Sequence, residues 1–123
     1  MGINNNDLTI LNNYAYYLAE LNMNLKEAER MAKQVIDEAG DNNTFLDTYA
    51  WVLFKRGKVK KAAEIMRKII NSGEKEDAEW FEHYGFMLKG MNKCKEAVIQ
   101  WEKAIQLDNK KKDLITEIEK CKK

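Results

Sequence analysis

Apolar residues along this chain recur at steps of three and four, and the pattern of steps itself recurs. Leu11, Tyr14, Ala15 and Leu18 form one run, Leu46, Tyr49, Ala50 and Leu53 a second, and Phe81, Tyr84, Gly85 and Leu88 a third. An α-helix turns once in about 3.6 residues, so this spacing gathers apolar side chains on one face. Tyr14, Tyr49 and Tyr84 stand 35 residues apart, and Ala15, Ala50 and Gly85 follow in step. Behind each run comes a second stripe: Ala28, Ala32, Val35 and Ile36; then Ala62, Met66, Ile69 and Ile70; then Ala97, Trp101, Ala104 and Ile105. Every unit is therefore two amphipathic helices. The pattern predicts helices near 7–21, 25–39, 43–56, 59–71, 76–90 and 93–107, with a seventh over 110–123 that places Leu114, Ile115, Ile118 and Cys121 on one face and lysines elsewhere.

The punctuation agrees. Gly57 and Asn92 fall where the first helix of a pair must stop, and both residue types tolerate a left-handed backbone. Gly40 to Asn43 and the Ser72-Gly73 pair supply breakers and cap residues between pairs. Connections this short make neighbouring helices antiparallel. Ala15 with Ala28, Ala50 with Ala62, and Gly85 with Ala97 are expected where paired helices cross, because a large side chain there would push the axes apart.

A two-helix unit of this length, with an aromatic and a small residue in mid-helix, a glycine-like turn and an alanine in the second helix, resembles the tetratricopeptide repeat family. The resemblance covers about residues 8–109, in three copies in phase, and Leu46 to Gly57 and Leu11 to Leu18 look most like bacterial members that end longer chains. It implies an all-α fold: an α-solenoid of three helix-turn-helix hairpins plus a C-terminal capping helix, wound as a right-handed superhelix. The expected organisation is one domain over 1–123, with repeats at about 8–41, 43–74 and 77–109 and the cap at about 110–123. Two departures stand out. The family's proline after the second helix is replaced by residues such as Gly40 and Asn109, and the first turn carries an extra residue in Asn22 to Leu25.

The family lines its concave groove with the first helix of each hairpin, which directs attention to one set of positions. Tyr16, Trp51 and Phe86 are equivalent, as are Asn12, Asp47 and Glu82, and further along Ala19, Phe54 and Lys89. The resemblance thus implies a partner-binding groove carried by Asn12, Tyr16, Asp47, Trp51, Phe54, Glu82, Phe86 and Lys89. An aromatic row beside an increasingly acidic one suits a peptide with apolar and basic side chains, and disfavours a clamp for a carboxylate tail. Two readings of the aromatic row stand. As a binding row its members are partly exposed; as packing between neighbouring first helices they are buried, with Tyr14, Tyr49 and Tyr84 already assigned to the core.

Composition narrows the alternatives. With 21 basic and 20 acidic residues the net charge is +1, so no global field draws the molecule to nucleic acid or an anionic membrane. The basic stretch from Lys55 to Lys68 is diluted by Glu64 and reads as a solvated face. Apolar runs such as Tyr14 to Ala19 fall far short of the ~20 residues of a membrane span. No leader pattern precedes Asn4, and the residues leave the compartment open between the cytoplasm and, if a longer chain carries an export signal, the periplasm.

No catalytic constellation emerges. His83 is the single histidine and reads as a partly exposed surface residue, Ser72 is the single serine, and no glycine-rich phosphate loop exists. Glu27, Glu29, Asp37 and Glu38 fall on faces left to solvent. Cys94 and Cys121 form no metal-binding pair; an antiparallel cap makes them neighbours, and free thiols are expected. The function expected is protein or peptide binding without enzyme activity or cofactor. The alternative is a purely structural end of a longer solenoid, packed on its own upstream repeats. Ile10, Tyr17 and Leu21 lie where an upstream hairpin would cover the first helix, and left bare they favour weak self-association.

Overall fold

The computed structural model describes residues 5–122, with side chains from Asp7 onward, so the leader reading at Met1 to Asn4 lies outside the described residues. These residues form seven α-helices and no strand: α1 (Asn5–Glu20), α2 (Leu25–Ala39), α3 (Asn43–Lys55), α4 (Val59–Asn71), α5 (Ala78–Gly90), α6 (Cys94–Leu107) and α7 (Leu114–Cys121). None is long and apolar enough to cross a membrane. The fold is all-α, and it resolves into two compact units, Met1–Ile65 and Met66–Lys123.

In the first unit α1 pairs with α2, and both pack against α3. The small residues expected at the crossings, Ala15, Ala28, Ala50 and Ala62, are fully buried. Larger side chains, Val35, Val52 and Leu53 among them, likewise have no exposed surface. Asn42 caps α3, its side chain accepting a hydrogen bond from the Phe45 amide at 3.1 Å. The turn glycine and its equivalents behave as expected: Asn22 (φ 54°), Gly57 (φ 86°) and Asn92 (φ 62°) stand 35 residues apart, all left-handed. The extra residue of the first turn is absorbed by a second left-handed asparagine, Asn24 (φ 48°).

Tyr14 departs from its expected core role and is 52% exposed, whereas its counterpart Tyr49 is 5% exposed. The reason is the neighbour. α2 lies against α3 and closes over Tyr49, but no described helix takes the corresponding place on α1. Leucine at Ala50 or Ala62 is expected to cost about 1–3 kcal/mol by overpacking, read from chemical denaturation, and a neutral result would mean that the helices do not cross there.

In the second unit α5 and α6 form a hairpin, and α7 packs on α6. Leu114 and Ile118 of α7 close on Leu88, Ala97, Trp101 and Ala104, while Ile115, expected on the same face, is 46% exposed. Asp77 caps α5 by accepting from the Glu79 amide at 2.9 Å, which starts that helix two residues later than the pattern predicts. The segment expected to open α7 is instead a run of tight turns with bonds such as Lys111 N to Asp108 O, 3.0 Å.

Two expectations are corrected here. Cys94 and Cys121 are not free thiols: they form a disulfide, with Cα atoms 5.4 Å apart. The antiparallel return of α7 brings them inside the separation at which a bridge closes without backbone movement. His83 is not a surface residue but 3% exposed, one turn from buried Trp80 and one from buried Met87 on the same helix face. Its Nε2 lies 3.7 Å from Glu79 Oε1.

Candidate functional site

The eight groove residues come from three helices: Asn12 and Tyr16 from α1, Asp47, Trp51 and Phe54 from α3, and Glu82, Phe86 and Lys89 from α5. The first five belong to one compact unit and the last three to the other.

On α1, Asn12 and Tyr16 are one helical turn apart and so share a face. Tyr16 and Phe54 are half-buried. Trp51 follows the packing reading of the aromatic row rather than the binding one: it is only 6% exposed. Its indole Nε1 donates to Glu20 Oε1 at 2.7 Å, tying α3 to α1. Phe54 stacks on its ring at 5.2 Å, and the Lys55 ammonium lies 5.3 Å from the ring centre. These contacts make Trp51 the floor on which Phe54 sits. Glu20 was missed by the sequence reading, although a signal existed: it follows Tyr16 by four residues and so lies on the same face.

Asn12 and Asp47 are buried as well, at 6% and 7% exposure. The Asn12 amide nitrogen makes only a long bond, 3.5 Å, to Asn13 Oδ1. Its carbonyl Oδ1 is buried and accepts no hydrogen bond from the described residues. Such an acceptor costs roughly 1–3 kcal/mol relative to a satisfied one.

The α5 positions are engaged by their own unit. Lys111 donates to Glu82 Oε1 at 2.9 Å, and Lys89 to Glu117 Oε1 at 2.9 Å. Burial works against the charge on Lys111, but the hydrogen bond and charge of Glu82 prevail and hold its ammonium above the ordinary value. The bond from Lys89 outweighs burial at Glu117 and holds that carboxyl below the usual glutamate range. Phe86 meets Trp101 edge-on at 5.2 Å. The C-terminal segment thus occupies the charged groups that a ligand on α5 would use.

Of the acidic residues expected to face solvent, Glu29 is pulled inward by Arg56 and Lys58, each 3.0 Å away, whereas Glu27, Asp37 and Glu38 are exposed. Among the described residues no group of three His, Cys, Asp or Glu side chains is placed to hold a metal. No protein-family model matches the chain, and no curated protein matches it in sequence.

Proposed function

We propose that this chain is a binding module of the tetratricopeptide type that takes an extended segment of a protein partner on the face shared by α1 and α3, without catalysis or cofactor. The observation that carries this reading is the unsatisfied, buried Oδ1 of Asn12 one turn from half-buried Tyr16. A partner N–H, from a peptide backbone or from Lys or Arg, removes that cost when the Asn12 side chain turns towards it. Half-buried Tyr16, and Phe54 laid on a Trp51 ring fixed by Glu20, offer apolar area of the kind that dominates peptide affinity. Glu20, exposed and bonded to the same Trp51 ring on which Phe54 stacks, favours a basic over an acidic segment.

The test is retention of immobilised basic-apolar peptides against an acidic set of equal length. The basic set is expected to be retained, and Tyr16→Ala or Asn12→Leu to weaken it about tenfold or more, with the melting temperature held. Equal retention of both sets, or affinity indifferent to both substitutions, overturns the reading. Reversing Glu82 is unsuited to this test because it also breaks the pair with Lys111.

A second observation favours the structural alternative. Ile10, Tyr14, Tyr17, Leu21 and Met23 are 47–65% exposed in one N-terminal stretch. The corresponding α3 residues Tyr49 and Val52 are buried, in a unit where α2 packs on α3. A helix shaped like α2, from a further repeat or from a second copy in weak self-association, would cover α1 in the same way.

A further inference from the structure

The Cys94–Cys121 bridge ties the first residue of α6 to the last residue of α7. Both cysteines are half-buried, and they line an open cavity of about 350 Å³ with Lys95, Val98 and Lys122. An attacking thiol can therefore enter without unfolding the unit. The two sulfurs differ in what surrounds them. Cys94 stands at the N-terminal end of a fourteen-residue helix whose cap residue, Lys93, makes no side-chain bond to the exposed amides. Lysines stand beside both sulfurs, Lys93 and Lys95 at Cys94, Lys120 and Lys122 at Cys121, but only at Cys94 do free helix amides add to the stabilisation of a thiolate. Cys121 closes the C-terminal end of α7, where the helix dipole opposes negative charge.

We propose that this bridge is a thiol–disulfide exchange site, opened by a dithiol reductant, that controls the docking of α7. The reductant's thiolate attacks Cys121 Sγ and forms a mixed disulfide. The Cys94–Cys121 bond breaks, and its electron pair leaves on Cys94 Sγ, the better leaving group, which then takes a proton from solvent. The reductant's second thiol, losing its proton, attacks its own sulfur in the mixed disulfide and expels Cys121 as a thiolate that is protonated in turn. The bridge gains two electrons and two protons, and the dithiol becomes a disulfide.

The consequence lies in α7. Eight residues are too few to hold a helix by themselves. Its docking rests on Leu114 and Ile118, on the Lys89–Glu117 pair and on the bridge. With the covalent tie gone, α7 opens more often and uncovers Leu88, Ala97, Trp101 and Ala104.

The experiment uses the full chain in native buffer, with dithiothreitol as one probe and, as the other, a thioredoxin-type protein whose resolving cysteine is replaced by serine. Peptide mapping is expected to find the mixed disulfide on Cys121. Amide hydrogen exchange over 114–121 should quicken about tenfold or more on reduction and return on reoxidation. The C94S/C121S double variant should match the reduced protein. A bridge that yields only in denaturant, a mixed disulfide mainly on Cys94, or exchange over 114–121 unchanged by reduction each overturns the proposal.

Discussion

Gly85→Ala is expected to lower the unfolding free energy by about 3 kcal/mol, a large fraction of the stability of a domain this size. A β-carbon built on Gly85 would lie 2.2 Å from Trp101 Nε1, 2.4 Å from Cδ1 and 2.8 Å from Cε2. The ring has nowhere to retreat, because Trp101 has no exposed surface and packs among Leu88, Ala97 and Ala104. Any shift also strains the bond that Trp101 Nε1 donates to the Glu82 carbonyl at 3.2 Å. Overpacking costs about 1–3 kcal/mol and a lost buried hydrogen bond about as much. The better helix propensity of alanine returns roughly 1 kcal/mol. Denaturant titration followed by circular dichroism measures the difference. Repeating it in a Trp101→Leu background should shrink the penalty, and a full penalty there would place the clash elsewhere.

Trp51→Ala is expected to cost about 3–5 kcal/mol of stability, the usual loss for a buried large aromatic. The side chain is 6% exposed, carries the stack with Phe54 and satisfies Glu20 through its indole N–H. Trp51→Phe keeps most of the apolar area but leaves Glu20 without its donor, so about 1–2 kcal/mol should be lost there. Urea denaturation of both variants separates packing from hydrogen bonding. If the alanine variant instead kept its stability while peptide binding fell, Trp51 would be a binding anchor after all.

Helix positions were legible because they rest on local periodicity. The six helices of the two-helix units, α1 to α6, fall within about two residues of the pattern, and the deviations have local causes, such as Asp77 capping α5 from outside the helix. The burial of the recurring small residues was legible as well: Ala15, Ala28, Ala50, Ala62 and Ala97 have no exposed surface. What the pattern could not reveal is which side of a residue a distant neighbour covers. Trp51, 6% exposed, is tied through its indole to Glu20, 31 residues earlier. Tyr14 is bare because nothing described plays for α1 the part that α2 plays for α3. Glu82 and Lys89 look free on the helix surface until the C-terminal segment folds back with Lys111 and Glu117. The cysteines show the same limit: periodicity makes them neighbours, but a bridge depends on a separation of a few ångströms that only packing settles.

The burial of the three tryptophans gives each compact unit its own optical signature. Trp51 belongs to the first unit, Trp80 and Trp101 to the second, and all are 6% exposed or less. Indoles withdrawn from water in this way emit at short wavelength and shift to the red when water reaches them. Replacing Trp51 by phenylalanine leaves the emission to the second unit alone, and replacing the other pair leaves it to the first. Two such proteins, melted side by side, would report whether the halves come apart in one cooperative step or in sequence.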